Sequence, residues 1–500
     1  MIANGLLWTI MVPLLMVPVI LLLKNQGKNL GWLAAAPLAV STLLYVQSAL
    51  EIKGNHSILD VFDWAQSAGL TMGFLADGLS IWVLLTVAIL GLMVAIYSIP
   101  YLEHRLHEME HDGEEVGEGA YAQYYALYVL YVAGMLGCVL STNLIQFYFF
   151  YELMLVPSWL LINNYGYGPR EKIGMIYFIW THVGAVIMLA GILASYTITG
   201  SFEIADMVHV VGASNASWIA FAILIGFFTK MASFGIHMWL PPAHSQSPTP
   251  ISALLSPAMI GLGAYAAIRI VVIPMFPVFQ KFSSVFTLWA LATMIWGGLM
   301  AFSQDDIKRF LAYSSISQMG YIFLGLASAA AYGEVGAIFH YVSHGFGKCI
   351  LFCVAGILIH QTGTRSIKEM GGLADRMPWT ALVTLIGFFT IGGVPPTVGF
   401  WSKFMVFTGV FDSALYTNDQ LYVAIAGIIM TILTIAYGTW TVRRVFFGPL
   451  PEHLKDVKEA PMLMLMPVVV FAALSIIIGL YPGLITEYLL PFFEAALLGA

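Results

Sequence analysis

The chain has 500 residues, 60% of them apolar and 9% charged, with a formal net charge of −7. Its mean hydropathy is +0.86. Soluble domains carry about 25% charged residues, so a soluble globular protein is excluded, the lipid bilayer is the expected surrounding, and no nucleic-acid partner is expected.

A membrane-crossing helix needs about 20 apolar residues. In chain order, runs of that kind centre on residues 5–23, 30–50, 79–99, 121–140, 144–162, 173–198, 218–238, 251–273, 284–302, 309–329, 336–360, 379–411 (broken), 422–446 and 462–481. The expectation is an all-α polytopic membrane protein with about 14 transmembrane helices. The first run lacks a basic start and a small-residue cleavage site, and reads as a retained anchor. A last stretch at 485–498 reads as too broken to span. Between the third and fourth runs, "LEHRLHEMEHDGEEVGEGAYA" holds seven acidic residues and one arginine, and reads as a solvated connector. His104, His107 and His111 within it match no standard metal-ligand spacing.

The three cysteines, Cys138, Cys349 and Cys353, fall inside spans and read as packing residues. Haem, iron–sulfur and dinucleotide patterns are absent, so neither a cofactor nor a metal site is expected in this chain. Fourteen basic residues flank one set of span ends, among them Lys24, Arg105, Arg170, Lys308, Arg365 and Arg443, against three (Lys53, Arg269, Lys281) on the other. The positive-inside rule then puts both termini on the non-cytoplasmic side of a prokaryotic cytoplasmic membrane.

The sequence also repeats itself. "STNLIQFYFFY" from Ser141 and "SQDDIKRFLAY" from Ser303 share Ser, Ile and Tyr at an offset of 162, as do "IYFIWTH" and "IFHYVSH" at their isoleucines and histidines. "LIGFFT" at Leu224–Thr229 recurs whole at Leu385–Thr390. Each copy covers five runs, an odd number, so the second must enter the membrane from the opposite side. This inverted architecture is common among carriers. The organisation follows: residues 1–120 hold the first three spans and the acidic segment, 121–273 the first five-helix repeat, 284–446 the second, and 447–500 the last span and tail. Each repeat has one helix interrupted near a proline pair, Pro241–Pro242 and Pro395–Pro396. A break exposes backbone groups that only protein or water can satisfy inside a membrane.

Four ionisable residues sit deep in spans: Glu152, Lys230, Lys348 and Lys403. A lysine at the bilayer centre costs roughly 2.5–3.5 kcal/mol, so these side chains need water or counter-charges. Burial disfavours the charged form of each, which leaves them ready to exchange protons. Glu152 and Lys230 are read as an ion pair whose making and breaking moves the lysine's proton, a static salt bridge being the competing reading. Lys403 reads as the exit-side group, with Lys348 and His344 between. His237, and secondarily His182 and His340, are candidates to bridge gaps.

"FYFFYELMLVPSWLLI", "KMASFGIHMWLPPAHSQSPTPISALL", "DDIKRFLAYSSISQMGYIFLG" and "ADGLS" closely resemble the antiporter-like subunit M (mitochondrial subunit 4 type) of complex I-like respiratory enzymes, including deazaflavin-dependent methanogen relatives. The likeness covers essentially the whole chain. It implies proton translocation along a Glu/Lys/His relay and electron transfer in partners that hold flavin and iron–sulfur clusters. It also implies a membrane arm with L-, N- and K/J/A/H-like subunits, beneath a peripheral redox arm. Two departures stand out: Gly261 where that branch has a lysine, and Lys403 where it has a glutamate. The alternative is a subunit of a multisubunit Na+/H+ antiporter or of a membrane-bound hydrogenase.

Overall fold

The computed structural model describes residues 4–53, 56–65, 67, 70–413 and 420–498. Among them, twelve helices are long and apolar enough to cross a membrane, from Gly5–Leu22 to Met462–Leu480. Two shorter apolar helices, Ala216–Lys230 and Pro378–Gly392, stop midway, and the chain resumes as Leu240–Gln246 and Val398–Asp412. Together these account for the fourteen runs read from the sequence.

Helices apolar on every side belong inside a bundle. Thr249–Val272, Ile307–Ala327 and Ala331–Thr362 are almost wholly buried, whereas Gly5–Leu22, Arg170–Thr199 and Leu421–Phe446 turn much of their surface outward. Helices Ile81–His111 and Ala331–Thr362 have 31 and 32 residues, well beyond a bilayer's thickness. Much of the acidic segment is therefore not a connector: the helix runs through it to His111, and Glu114 beyond pairs with Arg170.

The all-α expectation has one exception. Strands Ile58–Ala65 and Leu70–Ala76 pair antiparallel, with Phe62 opposite Met72. Residues of the first strand alternate between partly buried and exposed, the period-two pattern of a half-covered ribbon. The hairpin is tied to helix Leu144–Tyr165 by Gly73 N–H donating to Gln146 Oε1 at 3.0 Å. Asn143 caps that helix, its Oδ1 accepting from Ile145 N–H at 3.0 Å.

The helix breaks differ from expectation in one respect. Pro241 and Pro242 do not interrupt a helix; they lie in the first turn of Leu240–Gln246, where a missing N–H costs nothing. The interruption is upstream, from Met231 to Trp239, and turns through Gly235 at φ 90. In the second break Pro395 and Pro396 do lie in the gap, joined by a cis peptide. Gly393 there has φ 76, and a Cβ on it would lie 3.0 Å from the Lys403 side chain, so glycine is required twice over.

Span 249–272 contains two π-helical turns, Leu255–Met259 and Ile268–Val272. Arg269, in the second, is not a flanking residue at a span end; it is largely covered, its side chain 13% exposed, and pairs with Asp77 at N–O distances of 2.6 and 2.7 Å. Asp77 belongs to "ADGLS", and its Oδ1 also accepts from the Leu79 and Ser80 N–H groups at the start of Ile81–His111. Arg105 and Lys308 are likewise buried, 4% and 0% exposed, not in solvated loops.

Candidate functional site: a buried polar axis

Lys230 ends helix Ala216–Lys230 and is fully buried. Its Nζ lies 4.5 Å from the centre of the Tyr151 ring and has no hydrogen-bond partner among the described residues. Glu152, the next residue on helix Leu144–Tyr165, instead places Oε2 3.2 Å from His182 Nδ1. The expected direct Glu152–Lys230 ion pair is thus not closed. The cause is helical geometry: adjacent residues diverge by about 100°. Tyr151 is buried and meets Lys230 through a cation–π contact, while Glu152 and His182 look to the rim, 20% and 42% exposed. Glu152 still interacts with Lys230 electrostatically.

His237 spans the first break. Gly235 N–H lies 3.1 Å from its Nδ1 and Trp296 Nε1–H lies 3.0 Å from its Nε2, and the neutral ring accepts one of the two, according to its tautomer. A neutral imidazole has one acceptor nitrogen and an imidazolium none, so a proton added here would face two N–H donors. In this arrangement the ring braces the break. Trp239 reinforces it, donating from Nε1 to the Thr229 carbonyl at 3.0 Å.

In the second half, Lys348 on helix Ala331–Thr362 donates to the Leu311 carbonyl at 2.9 Å and to Ser314 Oγ. His344, one turn away, is buried with both ring nitrogens unpartnered. His340 Nδ1 lies 2.9 Å from Ser402 Oγ, next to Lys403, whose Nζ sits 4.0 Å from the centre of the Tyr321 ring without a hydrogen-bond partner among the described residues. Tyr321 Oη in turn lies 3.0 Å from Thr431 Oγ1. Each half thus holds one lysine ammonium against an aromatic face.

The halves meet where Ser256 Oγ, in the first π turn, lies 2.7 Å from Ser315 Oγ. Ser315 neighbours Ser314, the Lys348 partner. Gly261, where the resemblance implies a lysine, lies five residues further along the same span. A Cβ on Gly261 would lie 2.3 Å from the Tyr341 ring, and Tyr341 donates to the Ala258 carbonyl at 3.2 Å. Gly261→Lys is therefore expected to destabilise the protein by about 1–3 kcal/mol through overpacking. The check is the thermal midpoint of the detergent-solubilised protein.

The sequence reading missed two buried groups. His244 is fully buried, both nitrogens unpartnered among the described residues and its ring stacked 4.9 Å from Phe352. Its signal was present, two residues past Pro241–Pro242, but the proline pair drew the attention. Lys308 is buried and donates to the Ser247 carbonyl. With Arg105 and Arg365 it surrounds the Tyr167 ring, at 5.6, 4.0 and 4.6 Å from its centre.

The profile of the NADH:quinone oxidoreductase/Mrp antiporter transmembrane family matches residues 141–434. That of the N-terminus of chain 5 of NADH-ubiquinone oxidoreductase (complex I) matches residues 64–108. Subunit A1 of the Na(+)/H(+) antiporter of Staphylococcus aureus (strain bovine RF122 / ET3-1) is 33% identical over 514 residues, covering 96% of this chain but only 61% of that protein. This chain thus spans less than two thirds of that relative. The fold is shared with a chain of the Mrp complex from Dietzia sp., with a TM-score of 0.87 at 21% identity over 99% of this chain and 98% of that one. It is also shared with a chain of respiratory complex I from Thermus thermophilus with bound NADH, with a TM-score of 0.85 at 24% identity over 98% and 99%. These matches carry the family and not subunit M in particular. The chain belongs to the NADH:quinone oxidoreductase/Mrp antiporter family of membrane subunits.

Proposed function

We propose that the chain carries protons across the membrane as one antiporter-like subunit of a larger complex, along Glu152, Lys230, His244, His344, Lys348, His340 and Lys403. One observation carries this reading: Lys230, Lys348 and Lys403 are buried, and among the described residues none lies within salt-bridge distance of a carboxylate. Static salt bridges that merely fix packing would need a carboxylate within about 4 Å. Buried amines held by an aromatic face, a carbonyl or a hydroxyl can instead gain and lose a proton without breaking an ion pair.

The half-exposed Glu152–His182 contact lies among outward-facing Phe149, Ile179 and Val183. A polar pair on such a face suits a neighbouring membrane subunit better than lipid, which supports assembly with L- or N-like partners. Two couplings are supported by separate observations. Kinship with Na(+)/H(+) antiporter subunit A1 favours exchange of sodium for protons. The match to complex I chain 5 favours a redox-driven pump whose flavin and iron–sulfur clusters reside in partners. Purifying the intact complex separates them, since flavoproteins and iron–sulfur proteins travel only with the second.

Under either coupling, Lys230→Ala is expected to leave assembly intact and lower proton transport into vesicles by about 10²-fold or more. Wild-type transport by the assembled variant would remove Lys230 from the path.

A further inference from the structure

Glu334 has no place in the axis described so far. It lies in the first turn of helix Ala331–Thr362, the helix that carries His340, His344 and Lys348. A glutamate in such a turn is ordinarily solvated at the helix end. Glu334 is 0% exposed, and neither carboxylate oxygen has a hydrogen-bond partner among the described residues. Among the described residues it forms no salt bridge.

Its direction follows from helical phase. Tyr341 and Lys348 lie seven and fourteen residues further on, within about 40° of the same face. That face looks inward: Tyr341 reaches the Ala258 carbonyl, and a Cβ on intervening Gly345 would touch Thr86. The depth is equally defined. Ala330 and Ala331 are partly exposed and Tyr332 is exposed, so the carboxyl lies about one turn beneath the surface. This is the end of the helix opposite Arg365 and Lys368. His340, with Nε2 unpartnered among the described residues, is six residues deeper, about 9 Å of helix rise and about 120° around the axis, so only water in series can join the two.

We infer that Glu334 is the group through which protons leave the second half of the axis for the surface opposite the basic inner loops. A carboxyl buried without a donor is stable with a proton on it. The N-terminal end of its own helix supports the anion left when that proton departs outward. The carboxylate then takes the next proton from the His340–Lys403 side, and the cycle returns it to its starting state. The inference rests on the proton-translocation reading above.

The test uses the complete complex reconstituted in vesicles, with a pH-sensitive dye inside, and compares Glu334→Gln, Glu334→Asp and Lys230→Ala. Glu334→Gln is expected to assemble and to lower transport by about tenfold or more, and Glu334→Asp to recover most of it. Infrared difference spectra taken during transport should contain a deuterium-sensitive carboxylic-acid carbonyl band that is missing in Glu334→Gln. Full transport by Glu334→Gln alongside inactive Lys230→Ala overturns the inference and leaves the broader reading standing. Full transport by both removes the broader reading. Should Glu334→Gln fail to assemble, the wild-type complex decides through a lipid-soluble carbodiimide, which adds to protonated buried carboxyls. An adduct on Glu334 supports the inference; its absence, with Glu152 labelled, overturns it.

Discussion

Replacing Arg269 by leucine is expected to destabilise the folded protein by about 3–5 kcal/mol, because it strands the Asp77 carboxylate inside the protein. The guanidinium meets both Asp77 oxygens, at 2.6 and 2.7 Å, and packs 5.4 Å from the centre of the Phe492 ring. Through this pair a π turn of span 249–272 is fastened to the start of helix Ile81–His111 and to the final helix, Gly483–Leu498. Asp77→Leu should cost a similar amount by stranding the arginine. The double variant should recover much of the loss, since an apolar pair of similar volume often replaces a buried ion pair at little cost. Thermal midpoints of the solubilised protein measure all three, and simple additivity would show that the two residues are not coupled.

Lys348→Met is expected to do the reverse: to spare stability and abolish function. The lysine is fully buried and held only by the Leu311 carbonyl and Ser314. Methionine fills similar volume without the cost of a buried amine, so the thermal midpoint should hold or rise. Proton transport should fall by about 10²–10⁴-fold, the range of a lost proton-transfer group. A fall in stability with transport per assembled complex unchanged would make Lys348 a packing residue instead.

The architecture was legible because lipid imposes a blunt pattern: apolar runs, glycines and prolines at the breaks, and basic residues at span ends. What was illegible depends on direction within a turn. Lys308 and Arg309 are adjacent, yet the first is buried and the second exposed, and composition cannot say which of two neighbouring cations points inward. For the same reason Glu152 was joined to Lys230, although Tyr151 takes that contact. Glu334 sits where a span begins, and there a carboxylate looks like an ordinary flank. The hairpin's alternation is short and lies between two apolar runs, outside every span read from the sequence. The proline pair at 241–242 pointed to the right region, but proline marks where a helix restarts as readily as where it stops.

The π turns at Leu255–Met259 and Ile268–Val272 each accommodate one residue more than an α turn. Every such surplus shifts the side chains beyond it by about 100° around the axis. The span therefore has two α-helical phases, one up to Leu254 and another across Leu262–Ala267, and ends in the second π turn. A single rod thus aims Ser256, in the first π turn, at Ser315, Tyr265 beyond it at the Val139 carbonyl, and Arg269, in the second, at Asp77.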